Sequence, residues 1–308
     1  MTDSWKLVAR GPKAVVQAAL AAHEALDAWD PEIVLTGSEI AEDRPDEWVL
    51  EAYLPRRAAR ADRAAVAALF AGGAPALAVE KLPDTDWVTE TQKLTTPIRA
   101  GRFHVHTPDF PAETAPGAID LIIPAAQAFG TGQHATTAGC LAMLDAMKRR
   151  GVVVRDFADI GTGTGLLAFA ALSLWPGAQA IASDIDEVCE PVVVENALLN
   201  RVPLGTAPGT LAMVIAEGFD HALLAGRAPY DLVIANILAG PLIALAGDFA
   251  DAVAPRGHLL LAGLLTTQEP AVRAACRTAG FRLAARIANG DWSILWLRRR
   301  GHPSTGWG

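Results

Sequence analysis

Cysteine is scarce in this chain: 308 residues hold only Cys140, Cys189 and Cys276, far apart and odd in number. With no CxxC pair they form no thiolate metal cluster, and they suit a reducing compartment in which thiols merely pack. Long hydrophobic runs are missing too. No apolar stretch reaches the ~18 residues that would span a bilayer. The opening Met1-Thr2-Asp3-Ser4-Trp5-Lys6 has no basic segment leading into an apolar one, so no secretory leader is expected and the cytosol is the expected compartment. Positive charge is also short, 26 Lys+Arg against 34 Asp+Glu. The deficit is uneven, because residues 1–90 alone carry −7 of the net −8. An acidic first part repels a nucleic-acid backbone and attracts a basic partner, although acidity by itself does no more than keep a domain soluble.

What the chain does have is hydrophobic residues, 51 % of the total. That is enough for a sizeable core without staples, and the length suggests two domains. The first reads as Trp5–Ala9 strand, Lys13–Trp29 amphipathic helix, strands Glu32–Thr36 and Glu47–Leu54 around the polar Ala41–Pro45 turn, helix Arg57–Phe70 and strand Leu77–Leu82. This β-α-β-β-α-β order fits a ferredoxin-like α+β sandwich. Residues 84–116 read as a linker, with helical pattern up to Leu94 and a strand at Phe103–His106. Beyond 117, helical segments alternate with apolar strands at Val152–Ile160, Ala180–Asp184, Ala212–Ala216, Leu232–Asn236 and His258–Ala262. Such alternation implies α/β architecture, a mostly parallel sheet with helices on both faces. Phe281–Ile287 and Trp292–Leu297 suit an antiparallel hairpin at its edge. The expected domains are therefore 1–83, linker 84–116, 117–300, and a tail at 301–308, with everything from Arg298 onward expected to lack structure.

Three segments carry chemistry. Asp159-Ile-Gly161-Thr-Gly163-Thr-Gly165 follows an apolar strand and opens a helix; glycines there let the backbone turn sharply and approach a ligand. Asp184 ends the next strand, where a carboxylate can accept hydrogen bonds from ribose hydroxyls. The pair specifies a nucleoside-type ligand. The G-x-G-x-G spacing departs from the G-x-G-x-x-G of dinucleotide sites. Asp159, two residues before the first glycine, suits a ligand with an ammonium group and no phosphate, which points to S-adenosylmethionine ahead of NAD. The second segment is Asp231–Gly240, an apolar strand ending in Asn236. Its amide can orient an amine in the crevice at the sheet's carboxyl edge, or it can simply N-cap the next helix. The third, Ala128-Phe129-Gly130-Thr131-Gly132-Gln133-His134-Ala135-Thr136-Thr137, precedes a helix. It reads either as a ligand-covering loop or as a loop with an N-cap. His134 is a possible base, though a structural hydrogen bond suits a loop histidine better. His104 and His106 read as a surface pair on one strand, and no metal site is expected.

Taken in order, the FGTGxHxTT segment, the DxGxGxG segment, Asp184-Ile185-Asp186 with Glu195-Asn196-Ala197, and Asn236-Ile-Leu-Ala-Gly-Pro241-Leu242 resemble the ribosomal protein L11 methyltransferase family, PrmA. Pro97-Ile98-Arg99-Ala100-Gly101-Arg102 is similar to that family's linker. The chain departs at Gln133 and Ala135 around the motif histidine, and at Thr162 and Thr164 in the glycine turn. The resemblance implies a Rossmann-like methyltransferase fold and S-adenosylmethionine as cofactor. It implies transfer of methyl groups to lysine and N-terminal amines of a basic ribosomal protein, presented by an N-terminal domain on a swinging linker. Carried over by motif position, it implies Thr137, Gly161, Asp184 and Asn236 as cofactor contacts, with Phe129 beside the cofactor; Gly163 of the same turn is expected to join them, and Asn236 is the expected catalytic residue, holding the amine in line. Left open beside it are a related methyltransferase acting on another protein lysine or a small amine, and a nucleoside-binding module or NAD enzyme sharing the glycine turn.

Overall fold

The computed structural model describes residues 5–24, 26, 29–30, 32–40, 46–73, 75–81, 97–113, 115–124 and 133–301, the side chains of 24, 133 and 134 excepted. The chain divides into two compact units, Met1–Trp87 and Val88–Gly308. The turn read at 41–45, the helical pattern before Leu94, Phe129 and residues 302–308 lie outside the described residues.

In the first unit β1 (Trp5–Pro12), α1 (Lys13–Glu24), β2 (Val34–Glu39), β3 (Glu47–Leu54), α2 (Arg60–Ala68) and β4 (Ala78–Lys81) follow the order read from the sequence. The sheet runs β2-β3-β1-β4, antiparallel throughout, the ferredoxin-like arrangement. Leu7 and Ala9 of β1, and Leu50, Ala52 and Leu54 of β3, are spaced by two and so fall on one face. There they bury against Val16 and Ala19 of α1 and Val66 of α2. The first helix stops before the expected Trp29. That indole stands edge-on to His23 with centroids 4.7 Å apart, and its N–H donates to Ile33 O at 2.8 Å. The second helix starts later than expected because the Asp62 carboxylate accepts the Ala59 N–H at 2.7 Å, fixing the first turn there.

The second unit opens with β5 (Ile98–Ala100), β6 (Phe103–His106) and β7 (Ile119–Ile122), a small sheet of its own. Next come α3 (Gln133–Arg149), β8 (Asp156–Ile160), α4 (Leu166–Leu174), β9 (Gln179–Asp184), α5 (Cys189–Leu199) and β10 (Leu211–Ile215). The chain continues with α6 (Ala222–Arg227), β11 (Tyr230–Asn236), α7 (Ala239–Ala244), α8 (Ala246–Ala252) and β12 (Val253–Leu265). It closes with α9 (Glu269–Thr278), β13 (Phe281–Asn289) and β14 (Trp292–Arg299). The large sheet has the order β10-β9-β8-β11-β12-β14-β13, parallel from β10 to β12, with β14 antiparallel to both its neighbours. Its central strands are buried on both faces. Phe157, Leu232 and Ile234 point into the core shared with α3 and α4, while Ala158, Val233 and Ala235 point into the core on the opposite face. That is why these strands read as continuous apolar runs.

Three expectations are corrected. Arg298 and Arg299 are not part of a structureless tail: β14 runs to Arg299, which pairs with Phe281, and its guanidinium donates to Val253 O. His104 and His106 are not a surface pair. Both are buried, 4 % and 5 % exposed, and both contact Asp120. Residues 97–106, read as linker, contribute Ile98, Ala100, Phe103 and Val105 to the core that also holds Leu141 and Leu144 of α3. Arg102 pins this segment by an ion pair at 2.6 Å to Asp145, whose side chain is 4 % exposed.

Candidate active site

At the carboxyl edge of the large sheet, three neighbouring strands deliver the expected residues. The order β9-β8-β11 sets the end of β8, which becomes the glycine turn, between Asp184 at the end of β9 and Asn236 at the end of β11. The helix after β8 packs into one core and the helix after β11 into the other, so the connections diverge between these strands, the switch point at whose carboxyl-edge crevice open α/β sheets bind ligands.

The turn is held by the end of β9. Gly161 N–H and Thr162 N–H donate to Ser183 O at 2.8 and 2.9 Å, and Gly163 N–H donates to the Asp184 carboxylate at 2.8 Å. Gly161 and Gly163 sit at φ +69° and +56°, in the left-handed region. They differ in surroundings. A Cβ on Gly161 would fall 2.3 Å from Ile237 Cγ2, whereas one on Gly163 meets no described atom within 4 Å. The first glycine thus lets β11 close on β8, and the second has no described atom against it.

Asp159 does something other than the sequence suggested. Its carboxylate accepts the Thr162 hydroxyl at 2.7 Å and the Ala168 N–H, in the first turn of α4. The helix N-cap is Gly165, which has no side chain to offer. Asp159 therefore supplies the missing capping acceptor from the preceding strand. It is 1 % exposed, and burial, with Asp184 nearby, pushes its carboxyl up to about 7 despite those two hydrogen bonds.

Asp184 is half-buried; besides the Gly163 N–H it accepts the Asp186 N–H at 3.2 Å and the Cys189 thiol. Burial and that carboxylate push the Cys189 thiol up to about 11, so it stays protonated. Asn236 is half-buried, and its amide has no hydrogen-bond partner among the described residues. It does not cap the following helix, whose N-cap is Leu238. Thr137 is buried on α3. The start of α3 reaches this edge: Ala135 O accepts Asn289 Nδ2 at 3.0 Å, and Asn289 pairs with Trp292, which pairs with Leu265 at the carboxyl end of β12. Phe129, and the side chain of His134, are outside the described residues.

Sequence reasoning missed two supports. Asn196 Nδ2 donates to Thr164 O at 3.0 Å, bracing the glycine turn from α5. On the other side, a Cβ on Gly263 would lie 2.2 Å from Ile237 O, so a glycine there lets β12 lie against the Asn236–Ile237 bend. The asparagine was visible within the Glu195-Asn196-Ala197 motif; nothing in the sequence marked Gly263. Ile185 and Leu238, one and two residues past the strand ends, are exposed apolar side chains, 68 % and 72 % accessible, flanking the crevice.

A family model described as "Ribosomal protein L11 methyltransferase (PrmA)" matches residues 7–300. The chain belongs to the ribosomal protein L11 methyltransferase family. Relatives bearing that name include one from Caulobacter sp. (strain K31), 37 % identical over 97 % of this chain and 100 % of its own. Another, from Agrobacterium fabrum, is 37 % identical over 88 % of this chain and 90 % of its own. Among solved structures, a ribosomal protein L11 methylase from Lactobacillus delbrueckii subsp. bulgaricus superposes with a TM-score of 0.54 at 27 % identity, covering 67 % of this chain and all of that one. The family's fold is the Rossmann-like methyltransferase sheet described above. Its cofactor is S-adenosylmethionine, and this chain is an S-adenosylmethionine-dependent protein methyltransferase. The residues present suit that cofactor: a glycine backbone at Gly163 with no described atom against it, a carboxylate at the neighbouring strand end, and exposed apolar side chains past the strand ends.

Proposed function

We propose that this chain methylates ribosomal protein L11, at lysine side chains and the N-terminal amine. One observation carries the reading: the glycine turn with Gly163, Asp184 and Asn236, whose amide has no hydrogen-bond partner among the described residues, stand at the carboxyl ends of three adjacent strands. The names of the relatives support the substrate.

S-adenosylmethionine supplies a methyl group on a positively charged sulfur, open to direct displacement by an amine. The protein's part is to bind and orient the two reactants and to favour loss of the ammonium proton to water. Gly161 and Gly163 hold the backbone clear of the cofactor, Asp184 takes the ribose hydroxyls, and by motif position Thr137 and Phe129 are the further cofactor contacts of this proposal. A free lysine has a pKa of ~10.4 and arrives charged. Desolvation in the crevice and a neighbouring positive charge lower that value. The Asn236 amide oxygen then accepts a hydrogen bond from the neutral amine and holds it in line; positioning of this kind contributes ~7–11 kcal/mol in favourable cases.

In this proposal residues 1–83 form the substrate-recognition domain, and the catalytic domain, read from the sequence as 117–300, also takes in β5, β6 and β7, which share the core of α3. The −7 charge of residues 1–90 draws a lysine- and arginine-rich partner by electrostatics, without nucleic-acid specificity. The expected place of work is the cytoplasm; no helix among the described residues is long and apolar enough to cross a membrane. Incubation with radiolabelled S-adenosylmethionine and separately purified ribosomal proteins tests the substrate. Label entering L11 supports it. Label appearing in another protein or in a small amine, with L11 blank, refutes it.

A further inference from the structure

We infer that His104, His106 and Asp120 form a binding site for one divalent transition-metal ion of the zinc class, buried in the small sheet β5-β6-β7. Alternation along β6 puts the two imidazoles of His104-Val105-His106 on one face. β7 lies parallel beside it, in a register that sets Asp120 opposite His104. The Asp120 oxygens lie 2.7 Å from His104 Nδ1 and 2.9 Å from His106 Nε2. One ligand atom from each of the three residues lies within 4.8 Å of the others. The rings stack with centroids 4.9 Å apart.

The orientation of His106 makes this a site rather than a packed pair. Its Nδ1 is 2.7 Å from Thr107 O, a carbonyl that can only accept, so Nδ1 carries the hydrogen. In the neutral ring Nε2 then presents a lone pair to a carboxylate oxygen. That contact, 2.9 Å long, is closed either by a proton on the ring or by a cation held between the two atoms. A proton would serve that one contact. A metal ion takes up both imidazoles and the carboxylate together, a donor set suited to Zn²⁺ and its neighbours.

The surroundings fit. Ligating histidines are normally oriented by donating the second ring N–H to a backbone carbonyl, as His106 does. The carboxylate is itself steadied by the Glu113 N–H at 2.8 Å. Beside the cluster the Thr107 hydroxyl is buried with no hydrogen-bond partner among the described residues. His104 also lines a cavity of about 320 Å³ with Arg102 and Glu113, which gives an entry path. The role of such an ion is structural: it ties β6 to β7 across the loop between them, and it is independent of the methyl-transfer chemistry.

The test uses the full chain stripped with a chelator and then dialysed. Zn²⁺ is titrated by calorimetry, and Co²⁺ is followed by its visible absorption. The expected result is one equivalent bound at micromolar concentration or tighter, a Co²⁺ spectrum of nitrogen–oxygen coordination, and a higher melting temperature with Zn²⁺. His106→Gln and Asp120→Asn, checked for folding by circular dichroism, should each weaken binding at least 100-fold. Failure of the wild-type chain to bind Zn²⁺ at 100-fold molar excess overturns the site, whatever the variants do. Binding that survives in both folded variants overturns it as well, because the metal then sits elsewhere. Failed metal binding with intact methyl transfer leaves the proposed function standing.

Discussion

Gly161 and Gly163 are two residues apart, both left-handed, and their alanine variants should fail in different ways. A left-handed alanine costs ~1–2 kcal/mol at either position. At Gly161 the new methyl also lands 2.3 Å from Ile237 Cγ2, and overpacking of that kind adds ~1–3 kcal/mol. Gly161→Ala should therefore lose about 2–5 kcal/mol, read as a shifted urea midpoint. Gly163→Ala meets no described atom within 4 Å, so it should lose only about 1–2 kcal/mol. Its methyl occupies the space in which the cofactor must lie, so S-adenosylmethionine affinity should fall at least 100-fold by calorimetry in a chain that remains folded. Wild-type affinity in Gly163→Ala refutes the placement of the cofactor over that turn. Equal stability losses in the two variants refute the reading of which glycine faces protein and which faces ligand.

Asp184→Ala removes the acceptor for the ribose hydroxyls and for Gly163 N–H. Hydrogen bonds to a charged group contribute ~1.5–3 kcal/mol each, so calorimetry should detect no cofactor binding; retained affinity would contradict the role. Asn236→Ala should lower kcat about 100-fold with a smaller change in KM, measured with L11 as acceptor, and an unchanged kcat removes the positioning role. Asp159, raised to about 7 in the fold from an ordinary 3.8, binds its proton more tightly when folded. Its stabilising contribution is full below about pH 4 and is lost as pH rises toward 7, a loss of about 4 kcal/mol at ~1.4 kcal/mol per unit. Urea unfolding from pH 5 to 8 should show a shallower decline in Asp159→Asn than in wild type, and parallel curves would refute the shift. Arg102→Ala strips the 2.6 Å partner from the buried Asp145. Full burial would cost ~3–5 kcal/mol, but Arg102 is partly exposed and Arg149 stays within 3.4 Å, so about 2 kcal/mol is expected in denaturant unfolding.

Much of this protein was legible as pattern. The period-2 spacing of Leu50, Ala52 and Leu54, and the apolar runs ending in Asp159-Ile160, Asp184 and Asn236, reflect one-sided and two-sided burial. These follow directly from how strands present side chains. The glycine turn and the acid after it were local signals, because backbone freedom and a strand-end carboxylate are properties of single residues. Tertiary structure decided whatever depended on distant partners. Asp159 looked like a ligand contact until Ala168 and Thr162 claimed its oxygens. Asn236 could have been a cap until Leu238 was found in that place. His104 and His106 looked exposed because β7, the strand that carries their carboxylate partner Asp120, lies more than ten residues further on. A sequence fixes which face a side chain leaves from; only the packed chain fixes what it meets there, since that partner's position depends on register and crossover rather than on any local preference.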